Sequence, residues 1–270
     1  MKACFLSLSF LILLTISSFN IELDPEPNLS VDSQTALKMG KQIWQNECAG
    51  KTEGLTSWNK GEEFASLGIG HFIWYPEGLC SVFKQTFPNL LLFFKSKHAF
   101  LPSWLSEAKG CPWKTREEFM KAQQDPRMIE LRVMLQKRID LQIQFMVERM
   151  QRALPCMIQN LREDRKKHVM NQFFRLAETR EGLFVLLDYI NFKGEGVLVS
   201  EQYNGKGWGL LQVLEMMPNQ TNETSAVNEF VQSSKYILRQ RVDNSPRERN
   251  EEQWLKGWYN RLDGYLNFTL

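Results

Sequence analysis

Within residues 33–74 the spacing of the apolar residues changes once, from a helical pattern to a strand-like one. This change constrains the fold more than any other feature of the chain. The first part of the segment has helical spacing, and Asp32 or Ser33 can cap its start. Ala49-Gly50 supplies a break after the last turn. We therefore predict an amphipathic helix that ends near Glu47–Gly50. Its apolar face comprises Ala36, Leu37, Met39, Ile43 and Trp44.

A small sheet is predicted directly after this helix. Leu55 to Trp58 has the composition of a strand, Asn59 to Glu62 that of a turn, and Phe64 to Trp74 that of one or two further strands. Gly68 and Gly70 interrupt the last stretch, where glycine marks a bend or a close backbone approach.

The rest of the chain has mainly helical patterns. Residues 127–154 have one long apolar face, and residues 191–209 form a glycine-rich connection. Residues 76–125 are rich in aromatic residues and broken by prolines, which predicts short helices with loops. The expected fold class is therefore α+β, mainly α, with one small antiparallel sheet near the N-terminus. Further helices are predicted at 164–177, 180–190, 208–216, 225–242 and from Pro246 to Tyr265.

The N-terminus has the pattern of an export signal. Lys2 precedes an uncharged, mostly apolar run that is too short to span a bilayer. We expect residues 1–18 to be a signal peptide, 19–35 a linker and 36–270 one domain, with an uncleaved N-terminal anchor as the alternative. The protein is then periplasmic or secreted, with no stable membrane span after cleavage, and we expect a monomer.

Charge and cysteine content exclude several function classes. A formal charge of +2 gives no support to nucleic-acid binding. Four cysteines follow the leader, without a Cys-x-x-Cys motif, and the chain has three histidines, so we predict no metal site. Three disulfide pairings are possible, and four free thiols are the alternative. The four cysteines are Cys48, Cys80, Cys111 and Cys156.

Acidic residues around the predicted helix end suggest carboxylate chemistry. A glycosidase needs one protonated carboxyl to donate to the leaving oxygen, and usually a second, ionised one. Glu47 ends the apolar helix, and Glu53 follows six residues later. Glu62 lies in the predicted hairpin turn, and Ser66 on the next strand is placed to hold a water with it.

This stretch resembles the active-site region of phage-type lysozymes. In that family a catalytic glutamate ends the first helix, a hairpin carries an aspartate, and a strand has the pattern Thr-x-Gly-x-Gly-His. The chain matches the last pattern at Ser66, Gly68, Gly70 and His71, with serine in place of threonine. Leu186 to Gly196, followed by Trp208 to Gln212, also resembles a helix, turn and helix that line the family's cleft. Residues 76–125 have no counterpart and are expected to be an insertion.

The resemblance assigns the role of general acid to either Glu47 or Glu53. The separation of Glu53 from Glu62 suits the phage-type pattern, whereas Glu47 fits the helix end and resembles the glutamate of goose-type lysozymes and lytic transglycosylases. We favour Glu47 and keep Glu53 as the alternative. In either case Glu62, with Ser66, would direct the water, although a glutamate stands where the family has an aspartate.

The resemblance implies a lysozyme-like fold and a muramidase that cleaves the β-1,4 bond between N-acetylmuramic acid and N-acetylglucosamine in peptidoglycan, without a cofactor. A lytic transglycosylase and an inactive module that binds glycan or protein are the alternatives. In the family the histidine that matches His71 is structural. We therefore predict structural roles for His71, Gly68 and Gly70.

Further residues are candidates for contact with the substrate. Trp58, Trp74 and Trp208 are candidates for stacking on sugar rings, with core packing as the alternative. Asp188 and Glu195 are expected to be solvated or capping carboxylates, with a position facing the cleft as the alternative.

Overall fold

A computed structural model describes residues 29–79, 84–219 and 225–269. The predicted signal peptide, most of the linker and Cys80 lie outside these residues. The described chain is a mainly helical α+β structure. Helix α1 (Ser33–Cys48) begins as predicted, with Asp32 accepting a hydrogen bond from the Thr35 amide at 2.9 Å. It ends at Ala49, whose φ of 51° is left-handed.

The predicted sheet follows α1 and a single 3₁₀ turn. It has three short antiparallel strands in the order β1-β2-β3. The middle strand pairs Ser66 with both Ser57 and Ile73. The β1–β2 connection and the β2–β3 turn therefore lie at opposite ends of the sheet. The strands are β1 (Thr56–Ser57), β2 (Ala65–Leu67) and β3 (Phe72–Trp74).

The stretch at 76–125 forms short helices joined by loops and packs against the sheet. The Phe87 ring lies 4.9 Å from the ring of Trp74, centroid to centroid, and Phe119 packs edge-on against Trp58. These contacts join the stretch to the main core. Its helices are α2 (Phe87–Ser96), α3 (Ser103–Ser106) and α4 (Arg116–Lys121).

The helical pattern predicted over residues 127–154 is confirmed, but the structure divides this stretch into two helices. They are α5 (Pro126–Lys137) and α6 (Ile139–Ile158). Arg138 separates them with a φ of −121°, outside the helical range. The break redirects α6 against α1. The two helices approach closely at Gly40, where an added Cβ would lie 2.3 Å from Ile139.

The C-terminal half contains the predicted helices and one element that the sequence analysis missed. The glycine-rich connection includes a two-stranded antiparallel sheet, β4 (Gln202–Tyr203) and β5 (Lys206–Gly207). Its turn residues Asn204 and Gly205 have φ of 50° and 73°, and Asn-Gly is a favoured hairpin pair. The helices are α7 (Glu163–Ala177), α8 (Arg180–Lys193), α9 (Leu210–Met216), α10 (Ala226–Asn244) and α11 (Glu252–Leu266).

One continuous apolar cluster extends from Ala36 to Tyr265 and includes side chains from both halves of the chain. Cys48, Cys111 and Cys156 are free thiols. Among the described residues, no helix is both long and apolar enough to cross a bilayer.

Candidate active site

Glu47, in the last turn of α1, lies where four elements meet. Arg261 of α11 donates from Nη2 to Glu47 Oε1 at 2.6 Å, and Asn191 of α8 donates from Nδ2 to the same oxygen at 3.1 Å. His71, from the β2–β3 turn, lies 3.3 Å from Oε2 through its Nε2. A carboxylate only accepts, so His71 donates. The helix-end glutamate is thus held by side chains from the sheet and from two distant helices.

The β2–β3 turn that carries His71 is fixed from two sides. Gln142 of α6 accepts from the Ile69 amide at 3.0 Å and donates to the Leu135 carbonyl at 2.8 Å. Asn191 donates to the Ile69 carbonyl at 3.4 Å. Gly68 has a φ of +70°, and a Cβ there would lie 2.2 Å from Gln142 Oε1. The turn therefore requires glycine both for its conformation and for the close approach of α6.

A second carboxylate, Asp188 of α8, lies behind Glu47. It is completely buried and accepts hydrogen bonds from Arg261, from the Tyr265 hydroxyl at 2.6 Å and from Asn46 at 3.2 Å. The expectation of a solvated or capping carboxylate at Asp188 is wrong. Arg261 contacts both Glu47 and Asp188, so one cation lies between two anions.

The environment of Glu47 favours its ionised form. Burial alone would raise its pKa, but the hydrogen bond from His71 and the charge of Arg261 outweigh this effect and hold the pKa at about 2. Glu47 is therefore an anion at neutral pH. This state suits a group that stabilises positive charge or activates water.

A groove runs beside this cluster between α2, α6 and the end of α8. It consists of two adjoining cavities of about 660 and 250 Å³, which share Arg149 and Glu195 as lining residues. The larger cavity has an apolar floor that includes Phe93 and Phe145. The smaller one is lined by His71 and Asn191, two of the side chains that contact Glu47. The larger volume lies in the range of small-molecule sites, and the smaller one is slightly below it.

The other predicted catalytic residues do not line the groove, and Glu47 does not line it either but contacts His71 and Asn191, which do. Glu53 is exposed in the 3₁₀ turn after α1, where its charge acts on Arg132. Glu62 lies in the β1–β2 connection, at the opposite end of the sheet from His71, and its Oε1 accepts from Asn59 at 3.2 Å. Ser66 is buried in the middle strand. Neither cavity of the groove is lined by these three residues.

The three tryptophans predicted as sugar-stacking residues lie in the core. Trp58, Trp74 and Trp208 are at most 5% exposed. Trp58 and Trp74 pack on phenylalanines, and Trp208 lies against Tyr203 and the guanidinium of Arg241. None of these rings has an open face, so we assign them to packing.

The sequence analysis did not single out Asn191 and Arg261 as members of the site. Asp188 and Asn191 are three residues apart on α8, and Arg261 and Tyr265 four apart on α11. Side chains at these spacings share a helix face. Polar pairs on otherwise apolar helix faces are the sequence signal from which this buried cluster could have been predicted.

Comparison of the chain with protein-family models, with curated proteins and with solved structures found no match. In residues 29–79, 84–219 and 225–269, no group of three or more His, Cys, Asp or Glu side chains is placed to hold a metal ion.

Proposed function

We propose that this chain has a lysozyme-like fold and is an exported glycosidase that cleaves the β-1,4 bond between N-acetylmuramic acid and N-acetylglucosamine in peptidoglycan. Glu47 is the helix-end carboxylate of the site, and the groove receives the glycan. The reaction needs no cofactor.

The contacts of Glu47 carry this proposal. A glutamate at the end of a largely apolar helix, facing the turn of a small sheet, is the arrangement expected from the resemblance. The carboxylate contacts His71 and Asn191, and both line the groove. Glu53 has no comparable partners in the described part of the chain and is exposed. Of the two alternatives, Glu47 is therefore the one retained.

The pKa of Glu47 changes the role that we assign to it. A general acid must hold a proton at the working pH, but at a pKa of about 2 Glu47 is ionised. We therefore assign Glu47 the second role of a glycosidase carboxylate, which is to stabilise the cation-like transition state or to direct water.

The position of Glu62 favours a lytic transglycosylase as the second candidate. Residues 58–64 lie at the far end of the sheet from His71, about 10 Å away for strands of this length. Glu62 is therefore poorly placed to activate water beside Glu47. A transglycosylase needs no water, because the muramic acid closes an anhydro ring on itself.

Digestion of purified peptidoglycan tests these alternatives. A hydrolase releases fragments with reducing ends, whereas a transglycosylase releases fragments that are lighter by one water in mass spectrometry. We expect Glu47→Gln to lower fragment release at least about 100-fold. Glu117→Gln, at an exposed position on α4, is the control and should match the wild type.

Two results would contradict the proposal. If the wild type releases no fragments but binds peptidoglycan, the chain is an inactive binding module. If Glu53→Gln abolishes release and Glu47→Gln does not, the site is centred on Glu53.

A further inference from the structure

Glu195 is a carboxylate that lines both cavities of the groove, whereas Glu148 lines the larger one alone. Glu195 follows α8 by two residues and lines both cavities together with Arg149. In the smaller cavity it shares the wall with His71 and Asn191, which hold Glu47 on their other side. His71 and Asn191 therefore line a cavity with one carboxylate, Glu195, and bind a second one, Glu47.

The backbone around Glu195 is held rigidly. The Leu211 amide donates to the Glu195 carbonyl at 3.0 Å, and Leu210 donates to the Gly194 carbonyl at 3.0 Å. On the other side, Glu201 Oε2 accepts from the Gly196 amide at 2.7 Å. The first helical turn of α9 and the carboxylate of Glu201 thus fix the segment from both directions.

Both glycines that flank Glu195 are required by this geometry. Gly194 and Gly196 have φ of +87° and +86°. A Cβ would lie 1.9 Å from Glu201 Oε1 at the first and 2.2 Å from Gln212 Oε1 at the second. The backbone on both sides of Glu195 thus has a conformation that favours glycine, and the side chain between the two glycines lines the groove. Such pre-organisation is typical of functional positions.

The carboxyl of Glu195 itself is left without a close donor. Within the described residues it makes no hydrogen bond and no ion pair, unlike Glu47, Asp188 and Glu201. Burial raises its pKa above the usual 4.5, and the charge of Glu201 acts in the same direction. Arg149 and Lys84 oppose this shift but do not cancel it. Glu195 therefore retains its proton more readily than Glu47, the ionised carboxylate that His71 and Asn191 bind.

We propose that Glu195 is the proton donor to the leaving glycosidic oxygen, with Glu47 as the ionised partner. This inference rests on the proposed function and differs from the sequence prediction, in which the acid came from the end of α1. In the reaction the glycosidic C–O bond breaks as the Glu195 proton passes to its oxygen. Water then adds to the anomeric carbon, and the proton that water releases returns to a carboxylate of the site.

The test compares Glu195→Gln with Glu117→Gln on purified peptidoglycan, with fragment release as the readout. General acid catalysis contributes about 100-fold to 10,000-fold, so Glu195→Gln should lose at least about 100-fold while Glu117→Gln stays at the wild-type rate. The pH profile of fragment release is the second readout, because a proton donor loses its proton as the pH rises, whereas a purely structural carboxyl does not shape the profile. The fall of the wild-type rate on the alkaline side should be absent from the residual activity of Glu195→Gln, which has no proton to lose at this position.

Each result has a definite meaning. If the wild type releases fragments and Glu195→Gln does so within threefold of it, the inference is wrong and the proposed function stands. If Glu195→Gln loses activity but its residual fragment release keeps the pH profile of the wild type, Glu195 is a structural residue and the inference is wrong. If the wild type itself releases nothing, the proposed function fails first.

Discussion

Arg261 and Glu47 are separated by 214 positions in the chain, yet the Arg261 guanidinium donates to Glu47 Oε1 at 2.6 Å. Arg261 also donates to Asp188 through Nε and Nη2, at 2.8 Å in both cases. A cation on the last helix therefore joins the end of the first helix to the buried face of α8. The C-terminal helix is part of the site as well as part of the core.

Arg261→Met should destabilise the fold strongly. The substitution leaves Asp188, which is completely buried, without its cation. Loss of one partner of a buried ion pair costs about 3–5 kcal/mol. We expect a decrease of that size in the free energy of unfolding, measured in urea at pH 7.

Arg239→Met is the matched control, because Arg239 also contacts two carboxylates. Its partners are Asp243 and Glu252, but the whole group is solvent-exposed, with 39% of the Arg239 side chain accessible. Exposed pairs contribute at most about 1 kcal/mol. Equal losses in the two variants would show that burial of the Arg261 cluster does not determine its contribution.

The ionisation of Glu47 should be visible as a pH dependence of stability. Its pKa is about 2 in the folded protein against 4.5 as its ordinary value, so the unfolded chain binds the proton more tightly. The stabilisation is present above pH 4.5 and is lost as the pH falls towards 2, by up to about 3 kcal/mol.

Urea unfolding of the wild type and of Glu47→Gln between pH 2 and pH 6 measures this effect. The difference between the two proteins should shrink steadily as the pH decreases, because the variant cannot titrate at this position. A difference that stays constant across the range would mean that Glu47 is not held as an anion.

The local fold around Glu47 was predictable from sequence, but its chemistry was not. The cap at Asp32, the end of α1 and the sheet follow from local patterns, which need no knowledge of distant residues. The pKa of Glu47 depends on His71 and Arg261, which reach it only after the sheet and α11 have packed against α1. The break at Arg138 was not predicted either, since the apolar face of 127–154 continues through it.

Gln142→Leu should loosen the turn that carries His71. Gln142 is completely buried, and its amide accepts from Ile69 and donates to the Leu135 carbonyl. Leucine leaves the Ile69 amide without this partner, at a cost of about 1–3 kcal/mol, whereas the Leu135 carbonyl keeps the Arg138 amide at 3.2 Å. We expect a lower free energy of unfolding and faster amide hydrogen exchange at Ile69.

Gln253→Leu makes the same chemical change at an exposed position of α11 and should leave both quantities unaltered. If Gln142→Leu destabilises the protein but exchange at Ile69 stays slow, the turn is held by Asn191 alone.

Lys193→Met should stabilise the protein at neutral pH. Lys193, the last residue of α8, is 8% exposed, and its Nζ lies 3.5 Å from the ring centroid of Trp258 and 4.0 Å from that of Phe192. Burial, together with the charges of Arg241 and Arg261, lowers its pKa from 10.5 to about 6. Folding must therefore remove a proton that the unfolded chain keeps. This cost is small near pH 10.5, grows as the pH falls and reaches about 5 kcal/mol at pH 7.

Methionine has a similar length and carries no charge, so it removes this cost. At pH 7 the Lys193 amine is mainly neutral in the folded protein, so the substitution loses little cation–π attraction to Trp258 and Phe192. Thermal or urea unfolding should show a gain of at least about 2 kcal/mol at pH 7 that decreases towards zero by pH 10. Lys256→Met, at an exposed position on α11, should give no such gain. A gain at Lys193 that is the same at both pH values would arise from better packing and would contradict a neutral buried amine.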